Sequence, residues 1–104
     1  MDSNKRQFLS YQLSETADLD LVEIYEYSLI EFGFEQAEEY LDGFHHLFNQ
    51  LTNFPNEGVL RKDIGLNILS IPYGSHLVFY SIAKNSISII RVLHHSQNTL
   101  YYFK

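Results

Sequence analysis

"GSHLVFYSIAKNSISIIRVLHHSQN", residues 74–98, is the stretch that decides the fold. Two runs in it, 75–83 and 86–94, have the two-residue period and the β-branched and aromatic content of strands, and "KN" between them is a turn. Just upstream, "LNILSIP" (66–72) reads as a third strand, joined to the next through "YGS". Three strands linked by short turns make a meander of antiparallel hairpins. The last strand carries isoleucine, valine and leucine at both parities, the signature of a central strand covered on both sides.

Toward the N-terminus the period changes. Ala37, Tyr40, Leu41, Phe44, Leu47, Phe48 and Leu51 follow the i, i+3, i+4, i+7 spacing of an amphipathic helix, which Phe54-Pro55 ends. Before it, Ala17, Leu21, Ile24, Tyr25, Ser28 and Phe32 give a second helix, with Ser14 placed as its N-cap and Gly33 as its terminator. Only "GF" parts the two, so they form an antiparallel hairpin. Residues 8–14, "FLSYQLS", alternate as a short strand, and the tail "HSQNTLYYFK" fits either a short extra strand or aromatic docking.

The expected fold is therefore α+β in one domain spanning 1–104: an N-terminal strand, then a helical hairpin packed on one face of a mainly antiparallel four-stranded sheet. Two helices cover one face only. The other face is also apolar, and a bare apolar surface of that size invites a partner chain, a second copy or the chain's own tail.

Charge is divided along the chain. Residues 1–54 hold eleven acidic and two basic side chains, a balance of −9, whereas residues 55–104 hold two acidic and five basic ones, a balance of +3. The net charge of −6 argues against direct nucleic-acid binding, which draws on phosphate neutralisation. The absence of cysteine removes disulfides and thiolate metal sites. The first fourteen residues show neither a signal peptide nor a membrane span, so a cytoplasmic chain is expected.

Candidate chemistry is sparse. Glu38, Glu39 and Asp42 lie on the polar helix face, and adjacent histidines (His45-His46, His94-His95) diverge rather than converge on a metal. No serine elbow and no glycine-rich phosphate loop is present. Arg61, Lys62, His76, Tyr80, Arg91 and His94 remain. His76 and Tyr80 share a side of their strand, while Arg91 and His94 have opposite parity. These residues suit a sheet edge with Arg91 paired to a helix acid, a partner-binding surface, or a phosphate-cleaving site.

The strings "LSETADLDLVEIYEY", "FGFEQAEEYLDGF", "LTNFPNEG", "YGSHLVFY" and "IIRVLHHSQN" resemble the ParE toxins of the RelE/ParE superfamily, over roughly residues 8 to 98. The resemblance implies a toxin of a type II toxin–antitoxin system that poisons DNA gyrase, blocks replication and is held inactive by a ParD-like antitoxin. It implies no catalytic residue, metal or cofactor. The alternative within the superfamily is a RelE-type, ribosome-dependent messenger RNA endoribonuclease using Arg61, Lys62, Tyr80, Arg91 and His94. On the ParE reading, Ile68, Ile71, Tyr73, His76, Phe79 and Tyr80 are expected to form an antitoxin-binding groove, and Arg61, Lys62, Arg91 and His94 to meet target or partner. Copies lacking antitoxin are expected to be able to pair through the same surface. Asn67, Gln97 and Asn98 stand where the family often carries charged residues.

Overall fold

A computed structural model describes residues 10–103. The chain runs β1 (Ser10–Leu13), α1 (Glu15–Phe32), α2 (Phe34–Asn53), β2 (Val59–Leu60), β3 (Leu69–Tyr73), β4 (His76–Ile82), β5 (Ser86–His94) and a short α3 (Thr99–Tyr102). Phe8 and Leu9 of the expected first strand lie outside the described residues.

Ser14 starts α1 as its spacing requires: its Oγ accepts the Ala17 N–H at 2.9 Å, and Glu15 and Asp18 sit in the first turn near the positive end of the helix dipole. Gly33 alone parts the helices, at φ 91°, a conformation that side chains disfavour. Gly43 has a different role. A Cβ there would lie 1.5 Å from the Tyr73 hydroxyl, so the missing side chain lets the end of β3 meet α2.

The sheet has five strands in the order β1-β5-β4-β3-β2, with β1 parallel to β5 and the rest antiparallel. The fifth strand corrects the expected four. It is β2, two residues between α2 and β3, and two residues are too few to show a period. Strand β5 is second from the edge, with neighbours on both sides. Between Phe79 and Tyr80 the β4–β5 register slips, Phe79 pairing with Arg91 and Tyr80 with Ile89, which leaves Ile90 as a bulge.

One face of the sheet meets the helical hairpin. Leu69, Val78, Tyr80, Ile87, Ile89 and Val92 pack there against Ala17, Leu21, Phe44, Phe48 and Leu51. On the other face, of the three covers expected, the chain's own tail is the one seen. Phe79 points there and is fully buried, because the chain's own end folds back and sets the Phe103 ring 5.1 Å from it, edge-on. The tail thus docks aromatically, as a turn of helix rather than a strand. Its Asn98 side chain accepts the Tyr101 N–H at 3.4 Å as the N-cap.

Candidate functional site

Strand alternation divides the residues expected to form a single groove. Ile71, Tyr73, His76 and Tyr80 face the helices, Phe79 faces the tail, and Ile68 is half-buried in the turn ahead of β3. Phe79 and Tyr80 are fully buried. The six residues therefore do not make one continuous surface. The correction follows from β4 itself, whose neighbouring side chains cannot share a face.

Tyr80 is a structural post. Its hydroxyl donates to the Pro55 carbonyl at 2.7 Å and accepts the Gly58 N–H at 2.9 Å, which ties the loop after α2 to the sheet. Burial pushes its phenol above the usual range, so it stays protonated.

Arg91 is equally committed. Its guanidinium makes two 2.9 Å bonds to Asp20 of α1, and the same carboxylate accepts the Val92 N–H at 2.9 Å. Strand β1 stops at the level of Ile89, and beyond it α1 closes the β5 edge through Ser14 and Asp20. Charge-assisted bonds from Asp20 hold Arg91 charged, and the Tyr102 ring lies 5.3 Å from its Cζ on the tail side. Arg61 is on that side too, 5.5 Å from the Phe79 centroid, with its head bonded to Asp63 and Ser70. Lys62 is exposed in the following turn.

Just beyond Arg91, the tips of β4 and β5 bring His76 and His94 together, rings edge-to-face at 5.3 Å, with His95 stacked on His94 at 4.4 Å. Tyr40 of α2 approaches His76 Nδ1 at 2.8 Å and receives the Ser75 N–H at 3.1 Å. Burial, then the neighbouring imidazoles, lowers the His76 pKa to about 4. Here α1, the start of α2 and the tips of β4 and β5 enclose a groove of about 580 Å³, lined among others by Asp20, Glu23, Tyr27, Tyr40, His76 and His94. Asp20, Glu23 and Tyr27 are the groove residues that sequence reasoning missed. They carry no signal of their own, since polar positions on a first helix read as solvated surface.

Asn67, Gln97 and Asn98 each have a local structural task. Asn67 adopts φ 64°, which asparagine tolerates better than most side chains. Gln97 accepts the His94 N–H at 2.6 Å, and Asn98 caps α3. Among the described residues no His, Asp and Glu side chains gather in a group able to hold a metal. No helix is long and apolar enough to cross a membrane.

Much of the exposed apolar surface is on α1, besides Leu66 and Phe54 in the loops and Val59 on β2. Leu19, Val22, Tyr27 and Ile30 of α1, with Phe32 and Phe34 at the hairpin turn, stand in solvent, Ile30 at 82%. In this small α+β fold an apolar stripe along an acidic helix is a surface suited to meeting a partner. The comparisons carry that reading to a family. The model of the family described as ParE toxin of type II toxin-antitoxin system, parDE, matches residues 11–99, and the chain belongs to that family. It is 34% identical over 88 residues to Toxin ParE1 of Caulobacter vibrioides, covering 85% of this chain and 91% of the relative. It is 32% identical over 85 residues to Toxin ParE1 of Mycobacterium tuberculosis, covering 81% and 87%. A solved structure described as the chromosomal ParDE TA system from P. aeruginosa superposes with a TM-score of 0.69 at 17% identity, over 88% of this chain and 98% of that one, a likeness of fold.

Proposed function

We propose that this ParE-family toxin acts by binding alone: a ParD-like antitoxin holds it, and the free chain poisons DNA gyrase. The exposed apolar stripe of α1 is the observation that carries the reading, since burying it against a partner removes several large side chains from water at roughly 25 cal/mol per Å². The placement of the cations supports a non-enzymatic role. Arg91 is locked to Asp20, Arg61 to Asp63, and Tyr80 is sealed in the core, so Arg61, Lys62, Tyr80, Arg91 and His94 do not converge on one phosphate. In this reading Lys62, with Arg61 behind it, meets the target from the basic side of the sheet. Tyr73, His76 and Ile71 back the antitoxin surface from within, and Arg91 and His94 hold that end of the sheet in shape.

The test is to titrate purified protein into a gyrase supercoiling and cleavage assay, and in parallel into a translation extract, with and without the antitoxin encoded beside it. The expected result is accumulation of cleaved DNA, suppressed by antitoxin, with translation unaffected. Cut messenger with untouched gyrase would replace this reading with the ribonuclease one.

A further inference from the structure

The groove between α1 and the strand tips has an electrostatic character that narrows what it can take. Every charged side chain of α1 is acidic: Glu15, Asp18, Asp20, Glu23, Glu26 and Glu31. Asp20 is spent, with both oxygens engaged by Arg91 and the Val92 N–H. Glu23 lies one turn further along the groove wall, exposed and with no direct ion pair among the described residues, although its charge reaches Arg91 and helps hold it protonated. Four residues on, Tyr27 lines the same groove and is itself 61% exposed. Leu19, Glu23, Tyr27 and Ile30 follow at i, i+4, i+8 and i+11, so a carboxylate and an aromatic ring sit within one apolar line on the helix.

Charge decides among occupants. A second copy docking through this line would set acid against acid, and a nucleic acid or other polyanion would meet the same repulsion. His76, lowered by burial, does not offset it. A cation is favoured, and a flat one fits best, because a guanidinium pairs with a carboxylate in its plane while its face stacks on an aromatic ring. We propose that this groove receives an arginine side chain from an apolar segment of the partner protein, its guanidinium between Glu23 and Tyr27 and its stem against Ile24. The neighbouring Leu19 and Ile30 take the partner's apolar residues. The partner's identity rests on the antitoxin reading, whereas the cation site itself does not.

Two measurements test it. First, the full chain, isotopically labelled, is titrated by two-dimensional NMR with blocked arginine and with blocked citrulline, its uncharged isostere. Saturable shifts confined to α1 and the tips of β4 and β5 are expected for arginine, with citrulline weaker by about tenfold, the combined worth of one exposed ion pair and one cation–π contact. Glu23→Gln and Tyr27→Ala should each weaken arginine while leaving the melting temperature unchanged, since both side chains are exposed. Equal response to the two probes, shifts elsewhere, or indifference to Glu23→Gln would overturn the site. Second, the adjacent antitoxin is titrated into wild type and Glu23→Gln. A loss of about tenfold supports the arginine contact. Equal binding to both removes the groove from that interface and leaves the antitoxin reading standing. Failure to bind wild type overturns the antitoxin reading, and the arginine titration alone then decides the groove.

Discussion

Phe48 and Phe79 are both fully buried, yet by parts of the chain that differ in kind. Phe48 projects from α2 into the core between the helical hairpin and the sheet, with Phe44, His45 and Tyr11 as ring neighbours. Phe79, on the opposite face, lies under a four-residue helix and a single ring, Phe103, flanked by Arg61. The first cover is cooperative with the whole core. The second is a short terminal segment whose Leu100, Tyr101 and Tyr102 remain substantially exposed, so little apolar contact holds it and it should open at low free energy. The division also follows charge, with acidic helices on one side and Arg61, Lys62 and Arg91 toward the other.

The comparison is sharpened most by emptying the helix-covered core. Phe48→Ala should lower stability by about 3–5 kcal/mol, read from the urea midpoint. A loss under about 1 kcal/mol would mean the hairpin is not the main cover. Next comes the clasp at the sheet edge. The Asp20 and Arg91 side chains are 11% and 16% exposed, so Asp20→Ala strands a nearly buried guanidinium and the Val92 N–H together. About 3 kcal/mol should be lost, and Asp20→Ala/Arg91→Met should recover part of it in a double-mutant cycle.

Phe103→Ala should have a smaller effect, about 1–2 kcal/mol from apolar area, while raising the fluorescence of a hydrophobic dye as Phe79 becomes accessible. If the dye signal is unchanged, the tail is not what seals that face.

The effect on pH dependence is absent at neutral pH and emerges only in acid. His76 has its pKa lowered from 6.5 to about 4 in the folded chain, by burial first and by His94 and His95 next, with Asp20 opposing and Tyr40 bonded to the ring. The unfolded chain therefore binds a proton that the folded one refuses between those values. Stability should fall as pH drops from 6.5 toward 4, with no contribution from this group above 6.5. His76→Gln should flatten that part of the melting-temperature profile.

Much of the fold was legible from residue spacing. The i, i+3, i+4 run from Ala37 to Leu51 marks α2 because every apolar position on it enters the core, and Ser86–His94 appears at its expected bounds. The site was far less legible. His76 and Tyr80 are correctly placed on a strand, whereas Tyr73, read as turn, ends β3, and a groove that also included Phe79 ignored the face on which each stands. Glu23 and Tyr27 gave no signal, because acidic residues and exposed apolar ones (Leu19, Val22, Ile30) mingle on the outer face of α1, and spacing alone does not show which of them line a groove.

By itself the sequence determined the elements, their order, the division of charge and the family, since these depend on short-range periodicity and on local strings. The tertiary structure alone decided that the tail covers Phe79, that Asp20 closes the β5 edge on Arg91, and that α1 forms a groove with the strand tips. Those contacts join residues 24 to 72 positions apart, and their geometry exists only once the chain is packed.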